Sequence, residues 1–89
     1  MQVPKLRVLI EAGAVREVEV SYATDAGGWT VQVTYASRHG ERREILDRQR
    51  GGTRVFATLD AVARGLAGLG LLAFRVDASG LAGAGDEPP

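Results

Sequence analysis

There is no cysteine in this sequence, which excludes disulfides and thiolate metal sites and fits a reducing compartment. Histidine is nearly absent as well. The single His39 lies in a polar loop beside Gly40, and no second histidine or cysteine exists to complete a metal site with it. Long apolar runs are also missing. After Arg7 only Val8, Leu9 and Ile10 precede Glu11, too few for the core of a secretory signal, and no segment approaches the length of a membrane span. These absences lead us to expect a soluble, cytoplasmic protein with no membrane partner and no cofactor. Net charge is zero over 89 residues. A chain of this size buries about 60–65% of its unfolded surface, enough for one thin core in one domain.

The charge that is present is unevenly spread. Residues 1–37 carry a net −1, residues 38–54 a net +3 and residues 55–89 a net −2. The middle stretch holds Arg38, Arg42, Arg43, Arg48, Arg50 and Arg54, interleaved with Glu41, Glu44 and Asp47. It is the one functional candidate that the residues themselves offer. Arginines in a sheet or its loops contact phosphates, and a two- or three-stranded sheet can enter a major groove. The competing reading is a solvated hairpin in which the interleaved acids neutralise the arginines.

Apolar residues concentrate in Thr53–Asp77. Leu59, Val62, Leu66 and Leu69 recur at helical spacing with Ala63 beside them. Thr58 is the N-cap candidate, Asp60 suits the first turn, and Gly70 is placed for the left-handed position after the helix. In Leu71–Asp77 the period changes to two, with Leu72, Phe74 and Val76 expected on one face and Leu71, Ala73 and Arg75 on the other. Earlier in the chain, Val18, Val20 and Tyr22 alternate with Glu17, Glu19 and Ser21, and Trp29, Val31, Val33 and Tyr35 alternate with Thr30, Gln32 and Thr34. With the turn Ala23–Gly28 between them, they predict an antiparallel hairpin with one apolar face. A third strand is expected over Arg42–Arg48, and Arg54–Phe56 is either a short fourth strand or the end of the third after a break. Pro4–Ala12 fits both a helix and a strand. The bracketing Pro4 and Gly13 favour a short helix.

The expected fold is therefore a single α+β domain over residues 1–78. It has an antiparallel sheet of three to five strands, one main helix packed on one face and a short N-terminal helix. Residues 79–89 are expected to be a disordered tail. The open edges of such a small meander, and a final strand apolar on both faces, point to a homodimer.

No arrangement for catalysis emerges. The carboxylates are scattered over strand faces, Gly27-Gly28 and Gly51-Gly52 lack the phosphate-loop pattern, and Ser21, Ser37 and Ser79 lack a nucleophile elbow. The expectation is a protein that is not an enzyme.

The segments LIEAGAVREVEV, GGWTVQV and RVFATLDAVARGLAGLGLLAFRVDASG, within residues 6–81, resemble the small ParC-family partition-associated proteins of proteobacterial plasmids and mobile elements, which are unrelated to the topoisomerase subunit of that name. The resemblance implies an accessory role in plasmid partition or maintenance, exerted on other partition proteins or on DNA. It supplies no catalytic residue. The succession of strands, the R-x-F strand end and the alanine-rich helix also resemble in pattern the three-stranded AP2-like DNA-binding domains, although the characteristic motifs of those domains are absent. In either setting the contact residues to examine are Arg42, Arg43, Arg48, Arg50 and Arg54.

Overall fold

The computed structural model describes residues 1–82. It is an α+β fold with a four-stranded mixed sheet and three helices among those residues. Helix α1 spans Val3–Glu11, with Pro4 in its first turn, where a missing N–H costs nothing. Leu6 is fully buried, Leu9 and Ile10 pack against the core, and Val8 points outward.

Strands β1 (Val15–Ala23) and β2 (Gly28–Ser37) pair antiparallel in the register that alternation predicts. Val18 faces Val33, Val20 faces Val31 and Tyr22 faces Trp29. The Tyr22 and Trp29 rings meet edge to face at 5.3 Å. Between Val15 and Glu17 the register shifts by one residue. This bulge sets Val15 opposite Tyr35 and takes up Arg16 as the extra residue. Strand β3 (Gly40–Ile45) adds antiparallel to β2, with Arg42 opposite Tyr35 and Glu44 opposite Val33.

Strand β3 is shorter than the expected Arg42–Arg48. The ladder gains only the bond from the Leu46 N–H to the Val31 carbonyl before the chain leaves the sheet. It returns at Phe56, which exchanges two 2.8 Å hydrogen bonds with Trp29. Arg54–Phe56 is thus the far end of the same edge after an excursion. Gly28 makes that return possible. A Cβ at Gly28 would run into the Val55 side chain and the Phe56 carbonyl.

Helix α2 (Leu59–Ala67) begins as its sequence predicts, with Thr58 Oγ1 accepting from the Ala61 N–H at 3.1 Å. Val62 and Leu66 are fully buried in the same cluster as Leu6, Val18, Val20, Val31 and Val33. Gly70, at φ +91°, closes the end: its N–H reaches the Ala67 carbonyl, and the Leu71 N–H reaches the Leu66 carbonyl. This is a Schellman turn, and it directs Leu71 back against the core.

The C-terminal segment departs from expectation in four ways. Strand β4 is only Arg75–Asp77, and it joins β1 in parallel, Val20 beside Val76, so the sheet is mixed rather than purely antiparallel. The strand order is β3-β2-β1-β4. Residues 71–74 are not in the ladder, and their alternation does not sort inside from outside. Leu71 and Phe74 pack on the core while Leu72 is 81% exposed. The physical reason is the Schellman turn, which decides where Leu71 points before any strand pairing does. Finally, Ser79–Ala82, placed in the expected tail, forms a helical turn, α3, because Asp77 Oδ1 accepts from the Ser79 N–H at 2.9 Å. The same bond holds the Asp77 carboxyl below its usual range. The remainder of the expected tail, residues 83–89, lies outside the described residues. Among the described residues no helix is long and apolar enough to cross a membrane.

Candidate functional site

The site builds from the excursion between Leu46 and Phe56. Asp47 and Thr53 form an isolated bridge, the Arg48 N–H donates to the Gly52 carbonyl at 2.8 Å, and the Gly51 N–H donates to the Arg48 carbonyl at 3.2 Å. This is a three-residue hairpin loop, Gln49-Arg50-Gly51, closed by Gly51 at φ +88°. A residue with a side chain is strained there, and glycine is not. The hairpin therefore carries Arg48 on one arm, Arg50 at its tip and Arg54 just past the other arm. Arg48 Nε donates to the Gly51 carbonyl, folding the side chain over its own loop. The Arg54 guanidinium lies over the Phe56 ring, 4.6 Å from its centre. Gln2 Nε2 donates to the Gln49 carbonyl at 3.0 Å and ties the loop to the start of α1. A cleft of about 360 Å³ opens between them, lined by Gln2, Val3, Pro4, Asp47, Gln49 and Arg54.

The interleaved acids do not pair with these arginines. Glu44 accepts from Lys5 Nζ at 2.9 Å and from the Tyr35 hydroxyl, and it lies 3.7 Å from the Met1 amine. Lys5 Nζ also donates to Tyr35 Oη at 3.1 Å. Asp47 accepts from the Met1 amine at 2.7 Å. The Tyr35 hydroxyl, then the Lys5 ammonium, lower the Glu44 carboxyl from its ordinary 4.5 to about 2. The Glu44 carboxylate, then Tyr35, raise Lys5 in turn. These groups pin α1 to β3 and occupy Glu44 and Asp47, whereas Glu41, in register with Ala36 on the open face, makes no ion pair among the described residues. Among the described residues Arg42, Arg48, Arg50 and Arg54 make no ion pair.

The five predicted contact residues do not converge on one surface. Arg48, Arg50 and Arg54 belong to the hairpin. Arg42 lies in register with Tyr35, on the sheet face that carries the core. Arg43 lies in register with Thr34 on the opposite, open face and is bound to Glu19 at 2.7 Å. That open face also carries Glu17 paired with Arg75 at 3.2 Å, together with Asp77. Its cations are matched by carboxylates. A sheet-face approach to DNA would meet Glu17, Glu19 and Asp77 as well as Arg43 and Arg75. His39 is exposed in the β2–β3 turn, its backbone N–H bonded to Ser37 Oγ.

Sequence reasoning missed Lys5, Gln2 and the Met1 amine. Each acts across some forty residues of chain, and no local pattern links Lys5 to Glu44. Comparison with family models, with curated proteins and with solved structures finds no match.

Proposed function

We propose that this chain is a non-catalytic binding protein whose arginine hairpin, residues 48–54, engages a polyanionic macromolecule. In the plasmid-partition setting that the sequence resemblance implies, we take the DNA backbone as that partner. One observation carries the reading. Three arginines sit in one tight hairpin with no carboxylate paired to them among the described residues, because Glu44 and Asp47 are held by Lys5 and the Met1 amine. Guanidinium groups on a short, glycine-closed loop suit phosphates, which they can bind through two parallel N–H donors. The matched charges of the open sheet face favour this loop over a sheet laid in the groove. Arg42 and Arg43 are then secondary, the latter because its guanidinium is already engaged by Glu19.

The test is binding of the full chain to partition-region duplex DNA over a range of salt. Three phosphate contacts give a slope of log K on log salt of about −2.7, and each of Arg48→Ala, Arg50→Ala and Arg54→Ala lowers its magnitude by about 1. Arg43→Ala leaves the slope nearly unchanged. Absence of binding at low salt, where attraction between exposed charges is strongest, excludes DNA. The hairpin would then have to serve an acidic protein surface among other partition proteins.

A further inference from the structure

Strand β4 is an edge, and among the described residues no strand lies outside it. Its sequence, Arg75-Val76-Asp77, is self-complementary when turned on itself. In antiparallel pairing about a two-fold axis normal to the sheet, the residue on the axis faces its own copy and its neighbours cross over. With Val76 on the axis, Arg75 stands opposite Asp77 of the second copy, and Asp77 opposite that copy's Arg75. Directly opposed residues lie on one face and interact. Here one apolar pair is flanked by two opposite-charge pairs. Val76 is 45% exposed, and Leu72 stands out just before the strand. Arg75 gives one donor to Glu17 and Asp77 one oxygen to the Ser79 N–H, which leaves further donors and an oxygen for the new contacts.

The other edge of the sheet does not have this property. On β3, a register centred on Glu41, Arg42, Arg43 or Glu44 sets two like charges against each other on the axis, which is destabilising, and one centred on Gly40 or Ile45 lies at the very end of the strand and leaves half of its ladder unpaired. We propose that two copies of this chain associate through β4, antiparallel about Val76, joining two four-stranded sheets into one of eight strands. The contact is short and falls in the class below about 1,200 Å², so the dimer forms at high micromolar rather than nanomolar concentration.

The chain has no cysteine, so Val76→Cys introduces a single thiol on the axis. Opposed Cα atoms in antiparallel strands lie about 4.5–5.5 Å apart, within disulfide reach. Mild oxidation of Val76→Cys is expected to give a covalent dimer, and Arg42→Cys on the β3 edge is the collision control. Sedimentation of charge variants gives the second arm. Arg75→Asp and Asp77→Arg are each expected to weaken association at least about tenfold. An equimolar mixture restores it, because Asp then faces Arg at both positions. Recovery on mixing also shows that the variants fold. The proposal is overturned by a wild-type chain that stays at 9.4 kDa at high micromolar concentration. It is equally overturned by Val76→Cys cross-linking no faster than Arg42→Cys, or by a mixture no more associated than its components.

Discussion

The two ends of the sheet are built on opposite terms. The β3 end is tied down many times over. Lys5, Tyr35 and Glu44 bind one another, the Met1 amine holds the Ile45 carbonyl and Asp47, and Phe56 returns to pair with Trp29. The β4 end is three residue pairs, each of its residues exposed. At the first end side chains from distant parts of the chain fix the backbone, and the strand is guarded by charges that repel a copy of themselves. At the second, the short ladder is joined only by exposed side-chain bonds, Arg75 to Glu17 and Thr24 to the Gly80 carbonyl, and the outer edge is left compatible with itself. A small sheet can therefore close one side with its own polar groups and leave the other for association.

Breaking the core beneath both ends has the largest expected effect. Leu66 is 1% exposed, and Leu66→Ala is expected to cost about 2–5 kcal/mol. An unchanged denaturation midpoint would remove α2 from the core and with it the support common to the two ends. Gly28→Ala attacks the β3 end alone. Its methyl group would displace the Phe56 carbonyl, so a loss of about 1–3 kcal/mol is expected, together with loss of hairpin binding. Amide exchange in β4 should be affected only through the global loss. A loss of β4 protection in Gly28→Ala larger than the global loss would show that the two ends are not independent.

Glu44→Gln is a milder strike at the same end, expected to cost about 1–2 kcal/mol for bonds to a charged acceptor. Its pH signature is more telling than its size. The native carboxyl titrates at about 2 against an ordinary 4.5, so its contribution is complete above about pH 5 and is lost as pH falls from 4.5 towards 2. Acid unfolding of Glu44→Gln should be flatter over that window. Lys5 runs the other way: its pKa is raised above 10.5, so its contribution is lost only as pH climbs through that region. The smallest effect belongs to the β4 end. Arg75→Ala removes an exposed pair with Glu17 and should cost less than about 1 kcal/mol of monomer stability. A larger loss, measured in dilute chain, would show that β4 leans on side chains after all.

How much of this the sequence disclosed follows the same division. The β1–β2 hairpin was legible because alternation over nine or ten residues leaves one register that buries Val18, Val20, Val31 and Val33 together. Helix α2 was legible from its stripe, from Thr58 and from Gly70, all local signals. The parallel partner of β4 was not, since nothing in Arg75-Val76-Asp77 says which strand it will join or in which direction. The arginine hairpin was half legible. Its residues stood out, but whether Glu44 and Asp47 would neutralise them depended on Lys5 and Met1, whose positions only the folded chain fixes.

The parallel seam between β1 and β4 also sets an order of assembly. The pairings of β1 with β2 and of β2 with β3 join neighbours in sequence, so their loops close at small entropic cost. Strand β4 must span from Arg75 back to Glu19, and it cannot arrive before α2 and its Schellman turn have brought the chain round. We expect the seam to be the last part of the sheet to form and the first to open. Native-state hydrogen exchange should find the β4 amides opening at a lower free energy than those of β2. Equal values would make the sheet one cooperative unit from edge to edge. While a new chain is being made, the edge of β1 stays uncovered until Arg75–Asp77 have been synthesised and can pair with it. That interval, rather than any property of the finished fold, is when this protein is most open to pairing with the wrong strand.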